Sequence, residues 1–250
     1  MSRHSKHPPT PAVGVLHERV ILITGATQGI GRAVALEYAR LGATVVLLAR
    51  RVPQLEAVYD EIVALAYPEP VAIPLDLLTA NDADYSTVAL CLRQRLGRLD
   101  GIVHCAAYLY GLSPLGDQRI DEWMHQFRIN AVAPFALTRA CLPLLQQSSD
   151  ASVVFVGETH GLYPAPFWGG FAVSKAGLGH VMQIMACEWD AHKNLRLNLL
   201  VPGAVNSPQR QRTHPGQLAS ELKPIDSVLP AFVYWMSAAS RGRSGEIIEL

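Results

Sequence analysis

TGATQGIG, Thr24–Gly31, is a glycine-rich turn with two very different neighbours. Before it stands an unbroken β-rich run, RVILIT (Arg19–Thr24). After it, GIGRAVALEYARLG (Gly29–Gly42) places Ile30, Val34, Leu36, Tyr38 and Leu41 at helical spacing and closes on Gly42. A turn in that position is where a nucleotide phosphate binds. Gly25, Gly29 and Gly31 allow a tight bend and close backbone approach, and the helix start offers free N–H groups to a pyrophosphate. Thr24, Gly25, Thr27, Gln28, Gly29, Ile30 and Gly31 are therefore expected to cradle a dinucleotide.

Outward from this turn, apolar runs alternate with longer helical segments. Strands are expected at Thr44–Ala49, Val71–Asp76, Leu99–Ala106, Ser152–Gly157, Leu195–Gly203 and Glu246–Leu250. Helices are expected at Pro53–Ala66, Asp82–Leu96, along one long or broken stretch Ile120–Gln147, from about Phe171 to His192, and near Ile225–Ala239. Asn206–Leu222 reads as a polar loop. Strands without polar alternation are buried on both faces, so the helices must cover both sides of a parallel sheet. The fold class is α/β, a single doubly wound Rossmann-type domain spanning residues 18–250. The Pro-, His- and Ser-rich residues 1–17 are expected to form a mobile tail.

Of the 250 residues, 50% are hydrophobic and 17% charged, with a formal net charge of zero. That balance argues against nucleic acid or an anionic membrane as partner, and no run reaches the length of a membrane span. The low charge hints at a surface covered by another subunit. Cys91, Cys105, Cys141 and Cys187 are widely spaced, which fits reduced thiols in a cytoplasmic protein. No pattern of metal ligands is present.

The Gly-x-x-x-Gly-x-Gly spacing after Thr24 resembles that of the short-chain dehydrogenase/reductase superfamily. RVILITGA, LDLLT, LDGIVH and LRLNLLVPG look most similar to its bacterial YciK-like branch, and the resemblance runs from about Arg19 to Leu250. It implies a nicotinamide cofactor. At the end of the second strand a carboxylate would favour NAD(H). Here Ala49 fills that slot and Arg50 and Arg51 follow, which favours the 2′-phosphate of NADP(H). Alternatively one arginine is a solvated cap. The resemblance adds Asp76 and Leu77 near the adenine, Cys105 and Ala106 after the fourth strand, and Pro202, Gly203, Val205 and Ser207 after the sixth.

Hydride transfer to a carbonyl creates an alkoxide that must be held and protonated. The family does this with a Tyr, a Lys four residues later, a Ser, and an Asn that completes a water relay. Asn130 and Lys175 match the Asn and the Lys, although Asn130 could equally be a helix-kink or sheet-anchoring amide. Phe171 stands at the Tyr position, Glu158 at the Ser position, and HCAA (His104–Ala107) where an NAG ending is usual. Glu158 is expected to pair with Lys175; the alternative is a proton donor with a raised pKa. His160 is a second candidate donor, in a slot similar to that of a replacement Tyr in dienoyl-CoA reductases, or else a solvated loop residue. Two readings follow: an NADP(H)-dependent oxidoreductase with a rearranged acid, or a non-catalytic NADP(H)-binding sensor, scaffold or partner subunit. Tyr108, Tyr110, Tyr163, Phe167 and Trp168 are expected at the substrate edge of the sheet, as an aromatic pocket or as a plug or subunit contact. The family resemblance implies a homodimer or homotetramer through the helices around Ile120–Gln147 and Phe171–His192.

Overall fold

A computed structural model describes residues 14–250. Its sheet has seven parallel strands in the order β3-β2-β1-β4-β5-β6-β7. They are β1 (Val20–Thr24), β2 (Thr44–Ala49), β3 (Val71–Pro74), β4 (Gly101–His104), β5 (Ala151–Val156), β6 (Leu195–Val201) and β7 (Ile247–Glu249). Every residue of β1 is buried, yet successive side chains serve opposite layers. Val20 and Leu22 pack with helices α3 (Asp82–Leu96), α5 (Ala133–Gln147) and α7 (Gly169–Glu188). Ile21 and Ile23 pack with α1 (Gly29–Arg40), α2 (Val52–Ala64) and α9 (Leu229–Met236). That is why the strands read as continuous apolar runs. The chain winds outward from β1 to β3, then returns to place β4 on the other side of β1. The C-terminal ends of β1 and β4 therefore flank a crevice, where the connections diverge.

Helix ends follow local chemistry. Asn81 caps α3, its Oδ1 accepting from the Ala83 and Asp84 N–H groups, and Gly97 closes it in the left-handed region at φ 69°. The stretch expected to be long or broken is α4 (Ile120–Phe127), a wide π turn (Arg128–Val132) and α5. Pro134 has no N–H for the carbonyl of Asn130, so the helix widens there.

Two expectations are corrected. Residues 1–13 of the expected tail lie outside the described residues, but residues 14–17 form a turn in which Leu16 is fully buried and its N–H donates to the Leu41 carbonyl at 3.2 Å. Packing of Leu16 moves the start of the domain ahead of residue 18. The loop expected at Asn206–Leu222 contains a short helix α8 (Pro208–Thr213) and a 3-10 turn (Ala219–Glu221). Among the described residues no helix is long and apolar enough to cross a membrane.

At the edge of the sheet opposite the crevice, Asp150 is nearly buried between Arg19 and Arg196, the Arg19 contact measuring 2.7 Å. Burial would raise its carboxyl, but the two guanidinium groups outweigh burial and hold it below the ordinary carboxylate value. A depressed folded pKa stabilises the fold above the unfolded value of about 4 and ceases to do so as pH falls through the folded one. Asp150→Asn should cost about 3–5 kcal/mol at neutral pH by stranding buried arginines. It should also flatten the loss of stability below about pH 4. Urea unfolding at pH 7 and in acid checks both.

Candidate functional site

The crevice is floored by the glycine turn. Gly25 and Gly29 sit at φ +65° and +54°. A Cβ on Gly25 would lie 2.9 Å from the Ala106 backbone, and one on Gly31 only 2.3 Å from the Gly25 carbonyl oxygen. Only glycine allows β1, β4 and α1 to meet this closely, and the turn so formed lines a cleft of about 460 Å³. A dinucleotide fits such a cradle, with the start of α1 toward its phosphates. Thr24 does not line the cleft. Its Oγ1 accepts from the Ala106 N–H at 3.1 Å and stitches the ends of β1 and β4 together.

Every other residue expected at the cofactor lines this cleft: Gly25, Thr27, Gln28, Gly29, Ile30 and Gly31 of the turn, then Arg50, Arg51, Asp76, Leu77, Cys105, Ala106, Lys175, Pro202, Gly203, Val205 and Ser207. Their convergence follows from the parallel sheet, which brings the C-terminal ends of all central strands to one edge. Arg50 and Arg51 stand at one end, and among the described residues neither has an ion-pair partner. Asp76 caps its own loop, its Oδ1 accepting from the Leu78 N–H at 3.0 Å.

At the other end lie Lys175, Phe171, Glu158, Trp168 and Tyr108. Lys175 is buried in α7 and its Nζ donates to the Val156 carbonyl at 2.8 Å. Burial pushes the ammonium down to about 8, against the opposing charge of Glu158. Phe171, one helical turn earlier, is 1% exposed with its ring centre 5.9 Å from that of Trp168. The expected Glu158–Lys175 pairing is not formed: no ion pair joins them among the described residues. Glu158 instead caps a short helix α6 (Thr159–Leu162), its Oε1 accepting from the Thr159 N–H at 3.0 Å. A free N–H at the start of a helical turn is the nearer partner for the carboxylate.

Asn130 and His160 do not line the cleft. Asn130 is fully buried with its amide fully used. Its Oδ1 accepts from Tyr108 N–H at 2.7 Å, while Nδ2 donates to Tyr108 O at 2.9 Å and Ser174 Oγ at 3.0 Å. The side chain thus holds the segment after β4 against α7. His160 packs against Trp168 with the rings tilted, 4.2 Å between their centres. Tyr163 and Phe167 are exposed; the Tyr163 hydroxyl donates to Glu249 at 2.9 Å.

Two groups near Lys175 are held neutral. Burial, then the Lys175 charge, pushes His104 down to about 3. Its Nε2 lies 2.8 Å from Thr138 Oγ1, which itself donates to Pro134 O, so the imidazole nitrogen is the donor. Burial pushes the Cys105 thiol up to about 12, against the pull of Lys175. Neither can act as a ready acid or base at neutral pH.

Helix α8 brings residues to the cleft that its sequence did not announce. Pro208, Gln209, Arg210, Arg212 and Thr213 line the cleft, and Pro208 would sit 3.6 Å from a Cβ on Gly29. Ser207 caps α8, its Oγ accepting from the Arg210 N–H at 3.3 Å. Ser followed by Pro is a helix-start signal that the polar composition of the segment masked.

A parallel sheet with a glycine cradle at its switch point defines a dinucleotide-binding protein of the Rossmann type. The short chain dehydrogenase family pattern matches residues 19–218, and the chain belongs to that family of oxidoreductases. It is 34% identical over 235 residues to the uncharacterized oxidoreductase YciK of Escherichia coli (strain K12), covering 94% of this chain and 92% of that protein. Among solved structures, it superposes with TM-score 0.92 on a short chain dehydrogenase from Escherichia coli CFT073 complexed with NADPH, 34% identical, covering 96% of this chain and 99% of the other. A Shigella flexneri 2a relative complexed with NADP gives TM-score 0.92 at 34% identity, covering 95% and 99%.

Proposed function

We propose that the chain is an NADP(H)-binding oxidoreductase whose proton handling departs from that of its family. The observation that carries this is one cleft that has Arg50 and Arg51, without ion-pair partners among the described residues, at one end and Lys175 beside Phe171 at the other. Arg50 and Arg51 would hold the 2′-phosphate, the glycine turn the pyrophosphate, and Lys175 the nicotinamide ribose. When bound, NADPH supplies a hydride. The protein's part is to exclude water with Trp168 and Phe171 and to hold the substrate oxygen near Lys175. Phe171 has no proton to give, and Glu158 would repel a developing alkoxide, so ordinary carbonyl reduction should be slow.

Titration with NADPH and NADH, followed by fluorescence, tests the cofactor assignment. NADPH should bind about tenfold or more tightly than NADH, since a charge-assisted phosphate contact contributes roughly 1.5–3 kcal/mol. Arg50→Asp combined with Arg51→Ala should reverse that order. Equal affinities in the parent protein would make the arginines a solvated cap.

The second reading, a non-catalytic NADP(H) sensor, scaffold or partner subunit, draws on the same Phe171 and on Glu158 being engaged as a helix cap. Assembly as a homodimer or homotetramer is supported by apolar side chains left exposed on α4, α5 and α7, including Ile120 at 81%, Met124 at 62% and Ile184 at 56%. The cysteines, all free, support a cytoplasmic setting.

A further inference from the structure

A second cleft of about 210 Å³ opens beside the first, lined by Leu109, Tyr110, Gly111, Leu112, Arg212 and Thr213. Arg212 and Thr213 line both clefts, so the two meet at the end of α8. One apolar cluster lines both: Leu109 packs with Trp168 and Phe171, and Leu112 packs against it. The polar groups in the second cleft divide sharply. The Thr213 hydroxyl is spent on the Gln209 and Arg210 carbonyls, at 3.2 and 3.1 Å. The Arg212 guanidinium and the Tyr110 hydroxyl have no partner among the described residues. The nearby Arg210 is turned to Gln217, its Nε donating at 2.8 Å.

One free guanidinium and one free phenol, at the end of an apolar path leading from Phe171, make a definite chemical request. A planar guanidinium fork matches a carboxylate, and the phenol adds a neutral donor. A phosphate dianion would call for a second cation, and among the described residues Arg212 is the one cation that lines this cleft. We propose that this second cleft is the distal subsite for substrate and that it takes the carboxylate of an organic acid with an apolar body, anchored by Arg212. This rests on the first cleft being the NADP(H) site, because that assignment places the reacting end of the substrate beside Phe171 and Lys175.

The test measures binding of octanoate and 4-phenylbutyrate, each against its amide, to the NADP⁺-loaded protein by calorimetry, with octyl phosphate as a third arm. At least one acid should bind about tenfold or more tightly than its amide, the scale of one charge-assisted hydrogen bond. Arg212→Gln should erase that preference and should cost the acid several-fold more affinity than it costs NADP⁺. Tyr110→Phe should weaken the acid more than the amide. Equal binding of acid and amide overturns the proposal, as does no binding of either acid. Octyl phosphate binding far more tightly than octanoate overturns the choice of carboxylate. An equal loss of NADP⁺ and acid affinity in Arg212→Gln assigns that residue to the cofactor and overturns the subsite. If NADP⁺ does not bind the parent protein, the cofactor reading falls, and the acid–amide comparison in cofactor-free protein still decides whether Arg212 is an anion anchor.

Discussion

Phe171→Tyr combined with Glu158→Ser should raise carbonyl reduction by about 10²–10⁴, the usual contribution of a positioned general acid. Phe171 lines the cleft one helical turn before Lys175, so a hydroxyl added to its ring enters the space that Lys175 already bounds. A phenol with a pKa ordinarily near 10 would be drawn toward neutrality by that ammonium. Glu158→Ser removes a carboxylate that would repel the alkoxide and returns a small hydroxyl in its place. The cost is the cap of α6, where Glu158 accepts from the Thr159 N–H at 3.0 Å. Serine is also a competent cap, so the helix start should survive. The reaction is followed by loss of NADPH absorbance against a panel of aldehydes, diketones and quinones. The parent protein should be slow on all of them and Phe171→Tyr alone intermediate. A double variant that binds NADPH as the parent does, yet gains nothing on any carbonyl, would show that pocket shape rather than proton supply limits the chemistry.

Gly31→Ala should weaken NADPH binding on the order of 10²-fold and destabilise the fold by about 1–3 kcal/mol, the range for forcing a methyl into packed space. Its Cβ would stand 2.3 Å from the Gly25 oxygen and 2.9 Å from the Gly25 carbonyl carbon. Both are backbone atoms of a turn already bent through φ +65° at Gly25, so neither can swing aside as a long side chain would. The start of α1 must move instead, and its N–H groups move away from where a pyrophosphate would sit. Gly116→Ala is the control: a Cβ there meets nothing within 4 Å. Calorimetric melting and NADPH titration read the two effects separately. Parent-like NADPH affinity in Gly31→Ala would mean that the turn approaches the ligand less closely than the cradle implies.

The architecture was legible because it is written in local, one-dimensional signals. A strand buried on both faces reads as a continuous apolar run, as in Val20–Ile23 and Val45–Leu48, and the covering helices must repeat at 3.6 residues. The glycine turn was legible for the same reason: close approach tolerates no side chain, whatever the rest of the chain does. The spacing of Phe171 and Lys175 needed only the pitch of one helix.

The partners of the polar side chains were not legible, because each depends on where distant backbone returns. Glu158 could be assigned to Lys175 until α6 placed a nearer N–H against it. Asn130 could be a relay group or an anchor until its amide was found spent on Tyr108 and Ser174. Arg212 and Tyr110 share a cleft because α8 folds back over the ends of the strands, a placement set by packing against Gly29 and Trp168. The residue order of this chain settles that it is a doubly wound, nucleotide-cradling sheet, since backbone sterics and apolar burial act along the sequence. Which charges meet, and which remain free to bind, is settled by folding, since electrostatics and hydrogen bonds act across space.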